Sequence, residues 1–178
     1  MKNRYLFFSV AVFLLVFGVT QAIAQEHEHK PYTGSKAFER MKKLVGAWEG
    51  TMDMGEKGTM KSTLTYKLTA ADSAIVETVF EGMPHEMTSV YHDDSKRRLT
   101  MTHYCAEHNQ PKLALTNMVD NKLTMDLSKD SDIEVAKEVH IHSLAILFDG
   151  DDKMTQQWVS FNDGEKKQVV EIAFKRVR

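Results

Sequence analysis

The chain has 178 residues, with 23 Lys and Arg against 25 Asp and Glu and a formal net charge of −2 when its histidines are neutral. That balance supplies no basic face for phosphates and argues against nucleic acid as a partner. Cys105 is the only cysteine, so an intrachain disulfide is excluded.

The first residues read as a secretory signal peptide. Lys2 and Arg4 precede an apolar run from Leu6 to Val19, followed by small residues at Ala22 and Ala24. The run falls short of the roughly 20 residues that cross a bilayer, and no later stretch is continuously apolar, so no membrane span is expected in the mature chain. Residues 1–24 are therefore the expected signal peptide, and the expected location is periplasmic or secreted. No cysteine stands at the cleavage position, so a bacterial lipid anchor is not expected. Cleavage after Ala24 takes Lys2 and Arg4 from the 23 basic residues, leaving 21 against 25 acidic and a mature charge of about −4.

Residues 25–35 are polar and aperiodic and read as a flexible leader. A mature start at Gln25-Glu26-His27 has histidine in third position. The terminal amine, two backbone amides and the His27 imidazole could surround Cu(II) or Ni(II) in a square plane. Cyclisation of the terminal glutamine would remove that amine.

Residues 36–178 read as one domain. Ser35 is a candidate helix cap, and Phe38, Met41, Leu44 and Val45 have the spacing of a short helix ending before Gly46. From Trp48 the period changes to two. Lys61 to Leu68 alternates, with Leu64, Tyr66 and Leu68 on one face. Strand patterns follow at 74–80, 85–92, 99–105, 112–118, 123–127, 139–148, 154–161 and 168–176, separated by polar turns such as Asp149-Gly150-Asp151-Asp152 and Asn162-Asp163-Gly164. Ser128 to Glu138 is charged and reads as a longer loop or a helical turn. About nine or ten short strands without intervening helices predict an all-β, antiparallel up-and-down meander, and closure into a barrel removes its edges.

A short helix leading into Gly46-x-Trp48 resembles the opening signature of lipocalins and the wider calycin group, including nitrobindin-like haem barrels. Four further motifs resemble a family of uncharacterised exported bacterial proteins over nearly all of the mature chain: Leu44 to Gly50, Pro84-His85-Glu86-Met87, Thr102 to Cys105 with Asn109-Gln110-Pro111, and Gln157-Trp158. The resemblance implies a calycin-like barrel and transfers no activity. It implies an arginine packed over the signature tryptophan, here Arg176 over Trp48, as a structural cation–π contact. It also implies glycine ahead of the Asn109-Gln110-Pro111 turn, where this chain has His108, a departure that argues against left-handed backbone there.

Chemistry is concentrated at the end of the 99–105 strand. If residues 93–96 close an even-length hairpin loop, Val90 faces Leu99, Thr88 faces Met101 and Glu86 faces His103. Glu86, His103 and Cys105 then gather at one barrel end, and Ser89 and Tyr91 belong to the outer wall. An odd-length loop instead sets His85 or Met87 across from His103. The cluster has three readings. It is a hydrogen-bonded polar end of the core, or it binds a small apolar or amphipathic molecule held among Leu64, Tyr66, Met101 and Trp158, or it works through a metal or the thiol. His103 and Cys105 are two residues apart, about 7 Å along a strand, so the imidazole could lower the thiol pKa.

His140 and His142 also share a strand face. With His103 and Cys105 they are the candidate zinc or haem ligands, although no tight metal-binding spacing is present. Met52, Met54, Met60, Met83 and Met87 read as apolar gap-fillers, since their spacing does not repeat as a methionine-rich copper site would. The expected ligand contacts are Glu86, His103, Cys105, His142, Tyr66, Met101 and Trp158. The sequence thus predicts a small-molecule-binding barrel with an apolar cavity. A metal- or haem-binding barrel is the alternative, and nothing in the chain specifies a reaction, a cofactor or an oligomeric state.

Overall fold

A computed structural model describes residues 30–178. The expected signal peptide, the first part of the expected leader and His27 lie outside the described residues.

Ten antiparallel strands run β1 (Gly46–Asp53), β2 (Thr59–Thr69), β3 (Ala74–Val79), β4 (Met87–Asp93), β5 (Leu99–Tyr104), β6 (Lys112–Val119), β7 (Lys122–Leu127), β8 (His140–Asp149), β9 (Lys153–Asn162) and β10 (Glu165–Arg176). Each pairs with its neighbour in sequence, and β10 pairs with β1 to close the barrel. Every backbone edge is thereby used, which is the physical return on closing a meander. The strand patterns at 74–80, 99–105, 112–118 and 154–161 match β3, β5, β6 and β9 to within one residue at either end. The 128–138 segment is irregular.

The helix α1 (Lys36–Lys42) is short, and Ser35 caps it by accepting from the Phe38 amide at 3.1 Å. Its Phe38 and Met41 are fully buried. The segment ahead of the helix is held in place: the Tyr32 hydroxyl and the Ser35 amide both donate to the Asp93 carboxylate, and Arg97 donates to the Thr33 and Gly34 carbonyls. Helix and leader together plug the end of the barrel that carries the β2–β3, β4–β5 and β8–β9 turns.

At the same end Trp48 pairs with Arg176, whose guanidinium carbon lies 4.3 Å from the ring centroid. The expected cation–π contact is present. Arg176 also donates to the Val45 and Lys43 carbonyls at 2.8 and 2.7 Å, and the Trp48 indole donates to the Leu44 carbonyl at 2.8 Å. This tethers the chain where it passes from helix to strand. Gly46 sits there at φ +130, with the Arg176 guanidinium 2.9 Å from where a Cβ would stand.

The even-loop register of β4 and β5 is overturned. Asp93 pairs with Leu99, Tyr91 with Met101 and Ser89 with His103. The connection 94–98 has an odd number of residues. It is built on the Asp94 carboxylate, which accepts from the Lys96 and Arg98 amides, and on Arg97 at φ +59. A one-residue change in loop length reverses which face of a strand is inside. Ser89 and Tyr91 are accordingly buried in the barrel and not on its outer wall.

His108 is left-handed, at φ +65, contrary to what the missing glycine suggested. Its amide donates to the Cys105 carbonyl and the Cys105 amide to the Asn109 carbonyl, so the turn keeps its shape through backbone bonds. The β9–β10 hairpin turns on Asp163 and Gly164, both at positive φ, and is one residue tighter than the three-residue loop expected. A bulge near Lys167 restores the register, so Trp158 faces Val170 and Gln156 faces Ile172 on the expected side.

Candidate functional site

The end of the barrel opposite α1 holds a cavity of about 790 Å³. Its walls are mainly apolar: Met52, Met60, Val79, Phe80, Met87, Ile141, Val170 and Ile172. Strand alternation explains them, because Met52 and Met60 are cross-strand partners, as are Val79 and Met87. Four of the methionines crowded into the first half of the chain, Met52, Met54, Met60 and Met87, thus share one adaptable wall. Polar lining among the described residues comes from Asp53, His85, His103, Glu107, Trp158 and Gln168.

Beyond the cavity lies a polar cluster sunk in the core. Glu77 is fully buried and accepts from Tyr91 Oη at 2.9 Å, Gln156 Nε2 at 3.1 Å and Ser89 Oγ at 3.3 Å. Gln156 also donates to Tyr66 Oη at 2.7 Å and accepts from the Trp158 indole at 3.0 Å. Ser89 Oγ lies 2.9 Å from His103 Nδ1, which joins the cluster to the cavity wall. The His103 and Trp158 rings lie 5.0 Å apart between centroids. Burial pushes the Glu77 carboxyl above its ordinary range, while hydrogen bonds from Tyr66, Tyr91, Gln156 and Ser89 pull the other way. No cation is paired with Glu77 among the described residues.

His103 is 2 % exposed, and burial lowers its pKa to about 4, so the ring is neutral near pH 7. Its Nδ1 is engaged by Ser89, and Nε2 has no hydrogen-bond partner among the described residues. An unmatched nitrogen on a ring that lines an apolar cavity is the polar feature through which a ligand would be oriented. His85 offers another: its Nε2 is buried without a partner, and its ring sits 4.6 Å from that of Phe80.

The predicted contacts divide. His103 and Trp158 line the cavity, and Cys105 lines an adjoining pocket of about 170 Å³ with Trp158 and Glu107. Tyr66 lies in the buried cluster and Met101 in the core, both away from the cavity surface. Glu86 is exposed in the β3–β4 turn, where its carboxylate accepts from the Gly82 amide, so it does not orient His103. That correction follows from the register: Ser89 takes the place across from His103 expected of Glu86, and Glu77 supplies the carboxyl.

His142 does not line the cavity. It stacks on Phe161 at 3.9 Å and lies 3.1 Å from His140 Nε2, and His140 Nδ1 meets the Glu138 carbonyl. The Cys105 thiol is free and half-buried, and burial raises its pKa, the opposite of the activation expected from His103. Among the described residues no three of His, Cys, Asp and Glu come together as a metal site. His103 would bring a single imidazole nitrogen to a haem and too few donors to chelate a bare cation.

The sequence reading missed Glu77, Ser89, Tyr91 and Gln156. One signal was there to be used: Glu77 sits between Ile75 and Val79 in the apolar row of a period-two strand, where a carboxyl has to be buried with partners.

No protein-family model matches the chain, and no curated protein matches it. Among solved structures it resembles the crystal structure of a DUF3598-family protein of unknown function from Nostoc punctiforme, with a TM-score of 0.53 and 17% identity. The match covers 77% of this chain and 49% of that one, so this chain spans about half the length of its neighbour. At that identity the likeness concerns the fold alone.

Proposed function

We propose that this protein is an exported binder of a small apolar or amphipathic molecule, which it holds in the cavity at the open end of a calycin-like barrel. The observation that carries the reading is an apolar cavity of about 790 Å³ whose wall includes a neutral imidazole with an unmatched nitrogen. Pockets of this size, largely apolar with few placed polar groups, are the usual form of small-molecule sites. Export is supported by the basic start, short apolar run and Ala-x-Ala arrangement of the first 24 residues.

Native mass spectrometry of protein purified from its host tests both parts. The expected result is a mass beginning at Gln25 that carries an organic molecule, released on denaturation. A stoichiometric metal or haem would overturn the binding reading, and an uncleaved N-terminus would overturn export. With the carried molecule as probe, His103→Ala should weaken binding about two- to tenfold, the worth of one neutral hydrogen bond, while the fold is retained.

A further inference from the structure

The buried cluster has a direction, and Trp158 sets it. An indole N–H can only donate, so the Gln156 amide must turn its oxygen to Trp158 and its NH2 to Glu77 and Tyr66. Glu77 Oε2 is then an acceptor for both Gln156 and Tyr91. The chain continues from Oε1 through Ser89 to His103, and the Ser89 hydroxyl has one hydrogen for two neighbours.

Two arrangements satisfy this chain. With Glu77 ionised, Ser89 donates to it, His103 Nδ1–H donates to Ser89, and Nε2 keeps a bare lone pair. With Glu77 protonated, the acid donates to Ser89, Ser89 donates to Nδ1, and Nε2 carries the hydrogen. The Ser89 to Glu77 separation of 3.3 Å is long for a carboxylic-acid donor, whose O–H···O distances run at about 2.5–3.0 Å. The donors gathered on Oε2, Gln156 and Tyr91, also suit the carboxylate.

We infer that the Glu77–Ser89–His103 chain fixes His103 as a hydrogen-bond acceptor toward the cavity, so that the site selects an amphiphile whose polar end is an uncharged hydroxyl or N–H donor and rejects the corresponding carboxylate. This rests on the binding role proposed above and names its ligand class. A carboxylate would set acceptor against acceptor, with the Glu77 charge behind Ser89. The charged members of the cavity lining among the described residues, Asp53 and Glu107, are both acidic and do not favour an anion.

The test uses the full chain purified without ligand. Nitrogen-15 NMR of the imidazoles in wild type and His103→Gln identifies His103 and shows which of its nitrogens carries hydrogen. The expected form has hydrogen on Nδ1, and a hydrogen on Nε2 overturns the inference. Titration with 1-decanol, decyl methyl ether and decanoate then compares a group that can donate, a group that can only accept and an anion on one alkyl chain. Decanol should bind about two- to tenfold more tightly than the ether, the range of one neutral hydrogen bond, and decanoate most weakly.

Glu77→Gln should remove the first preference, because a hydroxyl can accept from an Nε2–H as an ether oxygen does. The new amide keeps its oxygen toward Gln156 and Tyr91, donates from its nitrogen to Ser89, and so moves the hydrogen of His103 to Nε2. If wild type binds alcohol and ether equally, or if a folded Glu77→Gln keeps the alcohol preference, the ligand class is wrong while the binding role stands. If none of the three binds, the binding role itself fails and the ligand class with it. Should Glu77→Gln not fold, the wild-type tautomer and the three affinities decide alone.

Discussion

The two ends of the barrel are built from the same strands and filled in opposite ways. At one end α1 lays Phe38 and Met41 into the core, Arg176 covers Trp48, and the leader is tied to Asp93. At the other end the inward row is methionine, valine and isoleucine around open space, with His103 and Trp158 at the polar side. The strands themselves do not determine which end closes. The helix does, because it brings large side chains into the mouth at which the chain enters. A closed barrel has interior volume to fill, and what covers one end leaves the other for a ligand.

Single substitutions should separate the ends. Phe38→Ala empties a fully buried aromatic site and should destabilise the protein by about 3–5 kcal/mol in denaturant titration. Met52→Ala, in a half-buried wall that already faces open space, should cost about 1 kcal/mol or less. Similar losses at the two sites would mean that the cavity wall is as tightly packed as the plug.

The next effect concerns His103. Its pKa of about 4 lies below the ordinary 6.5, so between these values the unfolded chain binds the proton more readily. Its contribution is complete above about pH 6.5 and is lost as the pH falls toward 4, amounting to about 3 kcal/mol. Glu77 acts with the opposite sign. Burial raises its pKa, so its contribution is present at low pH and lost as the pH rises through the folded-state value. Between pH 7 and pH 4.5 wild type should therefore lose more stability than His103→Gln. Equal losses would show that the ring is not held neutral by burial.

Arg176→Met keeps an apolar cover over Trp48 but removes the cation and its bonds to the Lys43, Val45 and Asp151 carbonyls. It should cost about 2 kcal/mol in the same titration, with decanol affinity unchanged because the change lies at the closed end. His108→Gly is expected to be the mildest and to act in the other direction. His108 holds φ +65, a conformation glycine adopts without a steric penalty, so the variant should gain up to about 1 kcal/mol. A loss there would show that the His108 side chain has a structural role of its own.

Much of the scaffold could be read from local pattern. Period-two alternation located the strands and Ser35 marked the helix start, while the Arg176 contact with Trp48 at the closed end was implied by the resemblance carried at Gly46-x-Trp48. Trp158 and Val170 reached the same face even though the hairpin was tighter than expected, because the bulge near Lys167 compensated. The site was less legible for an equally concrete reason. Residues 93–98 admit turns of either parity and several lengths; the five-residue loop 94–98 sets Ser89 across from His103, where the even loop had set Glu86 and a shorter odd one Met87.

The sequence by itself determined that this chain is an antiparallel meander with one small helix, since side-chain alternation and turn residues are properties of neighbouring positions. Only the tertiary structure decided which residues meet. Tyr66, Glu77, Tyr91, His103 and Gln156 come from five strands spread over 91 positions, and no short-range pattern relates them. Closing the barrel brings their inward rows around one axis, where a buried carboxyl has to find donors. The hydrogen-bond direction that runs from Trp158 to His103 exists only once that circle is complete.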